Sequence, residues 1–471
     1  MGAEHSKNPE AVEAIALLSE HERHDLSTAF RQLVSPDGKS EPDAHANFDV
    51  ISFQAFSRKV LAEDMSKRFH QAMSEKSALV DRDLVDRDAF TISVANITKG
   101  NLEKKCHYYV RLAADYRKGV SPTPSAPHLH HLVCGLITAA LNSRALNPRV
   151  NVWGGATSEA NAKLARTMLD EMIFAKHPSG ERKSAVSFYE DPIPDDVVFS
   201  EADLEKWLLE NALMPRLFDH VFRSMFFAAS DLAETVPDGG LELPLLPVLD
   251  GSGGEESLLD PTAVLYLNNC LPMDCRQNWR QVFDTKQHGQ SFATMLQKLE
   301  KVGGPSLLVV RDSDGYVFGG FASVPWTISS QYQGDNSCFL FSLSRGMGIF
   351  NAGEYNDHFM YLNHEMETLP NGLAMGGQPG YYGLFLAADF GSGHSHAEPT
   401  CTTYNSPQLS KEKEFVVSRV EVWAVGQAQE RKGTAHGSVL DKNLELQAMM
   451  EMVGKPMSGV YEPVEDPNEE Q

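Results

Sequence analysis

The sequence predicts an α+β protein, in which a helical first half precedes a β-sandwich with flanking helices and a closing helix. Along residues 10–235, apolar residues recur at the three- and four-residue spacing of amphipathic helices. From Leu258 to about Gly426 the chain shows short apolar runs separated by glycine-containing turns, which is typical of antiparallel strands. Helical spacing returns between Ser438 and Val453.

Composition excludes several classes of protein. Of 471 residues, 42% are apolar and 22% are charged, which is ordinary for a globular chain and excludes a mostly disordered one. The 41 basic and 64 acidic residues give a net charge of −23. Such a surface repels the phosphates of nucleic acids and anionic lipids. Basic protein surfaces are therefore the expected partners.

The cysteine and hydropathy patterns predict a cytoplasmic protein. Six cysteines without a C-x-x-C pair are too few for a disulfide scaffold and offer no structural zinc site. No stretch reaches the roughly 18 apolar residues that a spanning helix requires. The start of the chain carries charged side chains where a signal peptide needs an apolar run.

The amino-terminal residues 1–9 contain a lipidation pattern. The sequence MGAEHS matches M-G-x-x-x-[ST] and predicts myristoylation of Gly2. One myristoyl chain gives marginal, reversible membrane binding. No neighbouring cysteine or basic cluster supplies a second membrane signal. We therefore expect a protein partner to hold the chain at a membrane.

Residues 10–120 form a helical region whose pieces have the size of EF-hand helix pairs. Counted from Asp81, the calcium template requires glycine where Asp86 stands and a bidentate glutamate where Ile92 stands. The sequence therefore predicts EF-hand-like helices without a calcium site.

A proline-rich linker is predicted at residues 121–127, followed by a second helical region at 128–235. Ser200 and Asp203 have the spacing of a capping box and predict the start of a helix in that region.

The strands of the sandwich are predicted from apolar runs and turns. Leu307–Val310 is an apolar strand, and the turn at Asp312–Gly315 leads it into Tyr316–Phe318 as a hairpin. Further strands are predicted at residues 338–341, 382–386 and 420–424.

Residues 427–471 predict a closing helix and an acidic tail. The apolar stripe of the helix includes Leu446, Met450 and Val453, which are candidate partner-binding residues because a methionine-rich face suits an adaptable groove-binding surface. The alternative is that this stripe packs on its own domain.

The second half of the chain, Leu243–Gly426, resembles the TLDc domain family. The residues that carry the resemblance are Trp279, His288–Ser291, Phe318–Phe321, Trp326, Gly334-Asp335, Asn356–His358, Gly376-Gly377, Thr400–Leu409 and Glu421–Trp423. The resemblance implies a β-sandwich with flanking helices for residues 243–426. It also implies a link to oxidation resistance, for which the family has no established enzymatic mechanism.

The whole chain is similar to the mTOR-associated, EAK-type subgroup of TLDc proteins. The Gly2 start, Asn363-His364 and Pro370–Leu373 carry this further resemblance. It implies a non-enzymatic regulator of mTOR signalling, without a cofactor, that is peripherally associated with the lysosomal membrane through myristate. It also implies engagement of the vacuolar proton pump (V-ATPase) and of mTOR pathway components.

Two alternatives to an adaptor remain open, an enzyme and a small-ligand-binding module in the glycine-rich loops. Gly289-x-Ser291-x-Ala293 is close to the nucleophile elbow of serine hydrolases, although Ser291 more simply caps the following helix. Cys401 is the candidate thiol of an antioxidant enzyme, but no basic residue stands near it in sequence to activate it.

His394 and His396 are candidate metal ligands, together with Asp389 and Cys401. Two histidines at alternate positions of a strand point the same way, which suits a shared ion. Zinc sites more often show ligand pairs at tighter, recurrent spacing. The sequence is therefore interpreted as a polar loop, with no metal site.

An acidic window lies between Gly346 and Ser410, where the sequence has no Lys or Arg. The candidate partner-binding acids of this window are Glu354, Asp357, Glu365, Glu367, Asp389 and Glu398. On one shared face they would form a negative surface that steers a basic partner. The alternative is a solvated surface that only aids solubility. Four histidines, His358, His364, His394 and His396, would then make docking sensitive to pH.

Overall fold

The computed structural model describes most of the chain between residues 8 and 427. The described residues are 8–35, 42–43, 45–79, 83–114, 123–143, 147–176, 192–227, 245–249, 256–344 and 346–427. Gly2 and the predicted tail helix, with Leu446, Met450 and Val453, lie outside these residues. No helix in the described ranges has the length and hydropathy needed to cross a lipid bilayer.

Eleven of the helices in the described residues precede the sandwich, and three belong to it. In chain order they are α1 Pro9–Ala16, α2 Glu20–Val34, α3 Val50–Ser57, α4 Glu63–Ser74, α5 Arg87–Lys99, α6 Leu102–Ala113, α7 Ala126–Asn142, α8 Asn147–Val152, α9 Ser158–Lys176, α10 Glu201–Glu210, α11 Leu213–Phe226, α12 Pro261–Cys270, α13 Thr285–His288 and α14 Phe292–Glu300.

Local signals fix where these helices begin. The Ser200 hydroxyl accepts the backbone N–H of Asp203, and the Asp203 carboxylate accepts the N–H of Ser200. The predicted capping box is thereby confirmed. The proline-rich segment 121–127 is in part structured, because Pro124 accepts a hydrogen bond from Phe199 N–H and Pro127 lies in the first turn of α7. A proline in the first turn loses no helical hydrogen bond, so this segment begins a helix and is more than a linker.

A two-residue ladder joins two helix–loop–helix units near the amino terminus. Strand β1 (Asn47–Phe48) pairs antiparallel with β2 (Val85–Asp86), so that Phe48 lies opposite Val85. The first unit consists of α2 and α3, and the second of α4 and α5. Asp86 accepts the N–H of Ala89 and caps α5, which begins at Arg87.

The remaining strands build the sandwich. They are β3 Val248–Leu249, β4 Asn278–Asp284, β5 Ser306–Asp312, β6 Val317–Ala322, β7 Phe339–Ser342, β8 Gly348–Asn351, β9 Met360–Asn363, β10 Gly372–Gln378, β11 Tyr381–Ala387, β12 Ser392–His394 and β13 Glu414–Val425. Strands overlap all the predicted runs, and β5 and β6 form the predicted hairpin, in which Gly315 adopts φ 88°.

The long strand β13 belongs to both sheets of the sandwich. Its residues Val417–Ala424 pair with β5 in the first sheet, whose order is β8-β7-β6-β5-β13-β4. Its residues Glu414–Val416 pair with β12 in the second sheet, whose order is β13-β12-β11-β10-β9. The sheets pack so closely that a Cβ at Gly320 in β6 would lie 2.4 Å from the Met375 sulfur in β10. Gly320 leaves room for the Met375 side chain, which fills the space between the two sheets there.

Both faces of the first sheet are buried. Along β5, Leu307 and Val309 join the core of the helical region, whereas Leu308 and Val310 join the core between the two sheets. Successive side chains of a strand point to opposite faces, so each strand contributes to two cores. The described part of the chain therefore has three layers, which are helices, first sheet and second sheet.

Tryptophans occupy the contact between the helices and the first sheet. Trp153, which follows α8, lies with its ring centroid 4.9 Å from that of Trp423 in β13 and 5.8 Å from that of Trp279 in β4. The ammonium group of Lys163 in α9 donates to the carbonyl oxygens of Leu343 and Ser344 beyond β7. Burial lowers the pKa of Lys163. The helical region thus covers the sandwich and is not a separate body.

Candidate docking surface on the second sheet

The outer face of the second sheet carries a small aromatic cluster. The cluster on that face is formed by Tyr361, Ala374, Tyr382 and Phe385, packed against Tyr332. None of the described helices contributes to this cluster. These residues are themselves buried, so among the described residues it is the loops at the two ends of the second sheet that offer exposed side chains to a partner.

The six candidate acids divide between those two ends. Glu354 and Asp357 precede β9, and Glu398 follows β12. Glu365 and Glu367 follow β9, and Asp389 lies between β11 and β12.

Strand pairing fixes this division. Asn363 at the end of β9 pairs with Gly372 at the start of β10, and Gly372 pairs with Ala387 at the end of β11. The seven residues of β10 separate the two groups of acids by about 20 Å at 3.4 Å per residue. The six acids therefore do not lie together at one end of the second sheet.

The first group surrounds an exposed tyrosine. We call Glu354, Tyr355, Asp357 and Glu398 the Tyr355 edge. Tyr355 is 82% exposed, a large value for an aromatic side chain. Glu398 is paired with Lys413, a base that lies just outside the acidic window.

Family motifs hold the Tyr355 edge in place. The Thr403 hydroxyl donates to the Asn356 side chain at 2.7 Å and accepts the N–H of Gly377 at 2.8 Å. His358 donates from Nδ1 to the Gly377 carbonyl at 2.6 Å, and its ring stacks on Tyr332 with centroids 4.0 Å apart. The motif residues Asn356, His358, Gly377 and Thr403 thus form one network that fixes the loop carrying Tyr355.

The second group surrounds an exposed methionine. We call Glu365, Met366, Glu367 and Asp389 the Met366 edge, in which Met366 is 41% exposed. The Asp389 carboxylate accepts the N–H groups of Gly391 and Ser392, and these hydrogen bonds, the Gly391 N–H first, lower its pKa. Asp389 therefore also has a structural role, in forming the turn into β12.

Sequence reasoning missed a buried charge network beneath the first sheet. The guanidinium of Arg419 donates to both carboxylate oxygens of Asp284, at 3.0 and 2.8 Å, and lies 2.9 Å from Glu421. Glu421 is fully buried, and it also accepts hydrogen bonds from Ser257 and the N–H of Leu258. Burial raises the pKa of Glu421, and the hydrogen bonds from Leu258, Ser257 and Trp423, together with the charge of Arg419, oppose that shift. Glu421 belongs to the family motif Glu421–Trp423, but no pattern in the sequence indicated that it lies close to Asp284.

The geometry around Ser291 is that of a helix cap. Its backbone is extended, at φ −139° and ψ 116°, and its hydroxyl accepts the N–H of Thr294 at 3.2 Å. His288 instead uses Nδ1 to accept the N–H of Asp284, and its Nε2 lies 3.1 Å from Lys298 Nζ. The simpler interpretation of Ser291 as a cap is confirmed, because the strained turn of an elbow is not formed.

The remaining candidate residues are Cys401, Asp389, His394 and His396. Cys401 is 3% exposed within the core between the sheets, where a solvent-borne oxidant has no access. Asp389 lies at the opposite end of β12 from His396. His394 belongs to strand β12 and His396 continues its ladder by donating its N–H to Tyr382 O, so the polar-loop interpretation of this stretch is wrong.

Comparison with known proteins extends over nearly the whole chain. Residues 252–426 match the family model of the TLDc domain. The chain is 33% identical over 433 residues to the mTOR-associated protein MEAK7 of Gallus gallus, which covers 89% of this chain and 88% of that protein. The Homo sapiens MEAK7 is 32% identical over 440 residues, covering 89% and 90%. A shorter match, 35% over 181 residues, joins 38% of this chain to 18% of the Homo sapiens nuclear receptor coactivator 7.

Proposed function

This chain belongs to the family of the mTOR-associated MEAK7 proteins and carries a TLDc domain, and from that premise we propose that it is a non-enzymatic adaptor in mTOR signalling at the lysosome. The observation that carries the proposal is the similarity along 89% of the chain to relatives whose name states an association with mTOR. That name mentions no enzymatic activity. The capped Ser291 and the buried Cys401 support the same assignment.

The proposed partner of the TLDc domain is the V-ATPase, contacted through the Tyr355 edge. Tyrosines are frequent among the residues that dominate binding energy at interfaces. The loop that carries Tyr355 is held by the Asn356–Thr403–Gly377 hydrogen bonds, so binding costs little ordering of that loop. Glu354 and Asp357 add a negative potential that steers a basic surface of the partner.

Membrane access is proposed to come from myristate on Gly2, with the tail residues Leu446, Met450 and Val453 as a second protein contact. Each contact can be weak, because anchoring at the membrane raises the effective concentration of the other site. In this arrangement the lipid brings the chain to the lysosome and the protein contacts retain it there.

The two amino-terminal helix–loop–helix units are proposed to be EF-hand-like scaffolds that work without calcium. Their loops are linked by the Phe48–Val85 pair, as the loops of paired EF-hands are. If that pair occupies the eighth loop position, the twelfth position is Ser52 in one loop and Ala89 in the other. Neither residue supplies the bidentate carboxylate that calcium requires. Added calcium should leave the melting temperature of the full chain unchanged.

Capture of the V-ATPase tests the proposal. The full chain and its variants are immobilised and exposed to solubilised lysosomal membranes, and recovered pump subunits are quantified. The variant Tyr355→Ala with Asp357→Asn should recover at least tenfold less pump than the unaltered chain. The matched control is Glu365→Gln with Glu367→Gln, which removes two charges from the Met366 edge and should leave recovery unchanged.

The remaining outcomes are equally informative. Equal recovery by the two double variants would overturn the Tyr355 edge as the contact. Loss of recovery on truncation after Gly426, with both double variants intact, would move the contact to the tail. No recovery by the folded full chain would overturn the adaptor proposal.

A further inference from the structure

Two histidines and one glutamate meet where β12 lies against β13. His394 in β12 is the register partner of Glu414 in β13, and it also pairs with Phe385 in β11. His396 follows two residues later, and the Ser395 between them turns its hydroxyl to the opposite side, onto the Gly383 carbonyl. Alternate residues of an extended segment share a face, so both imidazoles and the carboxylate lie on the same side of the sheet.

The three side chains are close enough to share one ion. One nitrogen from each imidazole and one oxygen of Glu414 all lie within 4.8 Å of one another. His396 Nε2 is 3.2 Å from Glu414 Oε1, which matches the roughly 3.3 Å between ligands of a tetrahedral ion with bonds of about 2.0–2.1 Å. The other separations are at most 4.8 Å and would have to shorten when an ion binds. The Nε2 of His394 is buried and has no hydrogen-bond partner among the described residues.

The surroundings of the two histidines hold their rings in place. The neighbouring cation Lys413 is paired with Glu398 and does not face the histidines as a free charge. His394 stacks on Phe385 with centroids 4.7 Å apart, and His396 contacts Tyr381 edge-on at 5.2 Å between centroids.

From this geometry we propose that His394, His396 and Glu414 form a site for a divalent transition-metal ion, for which Zn²⁺ is the expected occupant. Two imidazole nitrogens and one carboxylate oxygen are ligands that Zn²⁺ accepts in proteins. Three protein ligands leave a fourth position for water or for a donor group of a partner. This site is independent of the proposed adaptor role.

Calorimetric titration of the chelator-treated full chain with Zn²⁺ tests the site. Glu414→Gln removes one ligand at an exposed position, and His396→Ala removes a second. Each should bind one ion fewer per chain than the unaltered protein, or bind that ion at least tenfold more weakly. The matched controls are Glu412→Gln, an exposed carboxylate two residues earlier, and His24→Ala on α2, which should both retain the ion.

Three results would overturn the proposal. These are an unaltered protein that binds no Zn²⁺, ligand variants that bind as the controls do, and controls that lose the ion along with the ligand variants. Thermal melting of every variant without metal shows whether it is folded, and Glu414→Gln keeps the test valid if a histidine variant unfolds. If Cu²⁺ binds the unaltered chain more tightly than Zn²⁺ does, and the same two substitutions weaken its binding, the site stands and its occupant changes.

Discussion

The indole rings of Trp153 and Trp423 lie 4.9 Å apart between centroids, at an interplanar angle of 44°. Trp153 comes from the helical region and Trp423 from the last strand of the sandwich, 270 residues later in the chain. Both side chains are nearly inaccessible to solvent, at 3% and 0% exposure. The contact makes the helical region part of the hydrophobic core of the TLDc half.

The first prediction concerns the isolated TLDc half. A fragment of residues 236–427 lacks Trp153 and exposes Trp279, Trp423 and the alternate apolar residues of the first sheet. An exposed apolar face of this kind causes association. We expect the fragment to bind the dye ANS and to elute as aggregates in size-exclusion chromatography, whereas the full chain does neither. A monomeric fragment without dye binding would contradict the three-layer arrangement.

The second prediction concerns the buried charge network. Arg419→Met removes the cation that Asp284 and Glu421 share, and leaves two buried carboxylates unpaired. We expect the free energy of unfolding to fall by about 3–5 kcal/mol, measured by denaturant titration of tryptophan fluorescence. Lys67→Met is the control, because it breaks the exposed Lys67–Glu63 pair and should change stability little. Equal effects of both substitutions would show that the network is not stabilising.

The third prediction concerns the dependence of stability on pH. His220 shares a 2.7 Å hydrogen bond with Ser143, and burial, with the charges of Arg149 and Arg216, lowers its pKa to about 4. In the unfolded chain the imidazole has its ordinary pKa near 6.5. The unfolded state therefore binds more protons, and the contribution of neutral His220 is present above pH 6.5 and lost progressively as the pH falls towards 4.

His220→Gln should flatten this dependence. The unaltered chain should lose about 3 kcal/mol more than the variant between pH 7 and pH 4, measured as the free energy of unfolding at several pH values. The difference between the two proteins gives the contribution of His220 alone. Other histidines, such as His70 and His130, contribute equally to both proteins, although burial also lowers their pKa values. His24→Gln, at an exposed position, should follow the unaltered chain.

The fourth prediction separates a cap from a nucleophile at Ser291. Ser291→Ala removes the acceptor for Thr294 N–H and should cost about 1 kcal/mol of stability. Ser291→Asn keeps a good capping side chain and removes the hydroxyl, so its melting temperature should match the unaltered chain. Both variants should capture partner proteins as the unaltered chain does. If the unaltered chain hydrolyses an ester substrate and the stable Ser291→Asn variant does not, the enzyme alternative returns.

Part of the candidate docking surface could be predicted from the sequence. The acids were all identified from the absence of basic residues, but their division into two edges depends on the β9–β10–β11 register. The pairing of Glu398 with Lys413 also depends on folding, because Lys413 lies outside the acidic window. The continuous apolar run at Leu307–Val310 could have predicted that the first sheet is buried on both faces, because strands of this kind lack the alternation of apolar and polar residues.

The sequence by itself determined the elements whose signals are local. The hairpin turn at Gly315, the cap at Ser200 and the cap at Ser291 each depend on a few neighbouring residues, so the residue types alone specify them. The tertiary structure decided which distant residues meet. Asp284 and Arg419, His394 and Glu414, and Trp153 and Trp423 are brought together by strand register and by the packing of helices on a sheet. Those contacts depend on the order in which strands pair, and a pattern along one segment does not encode that order.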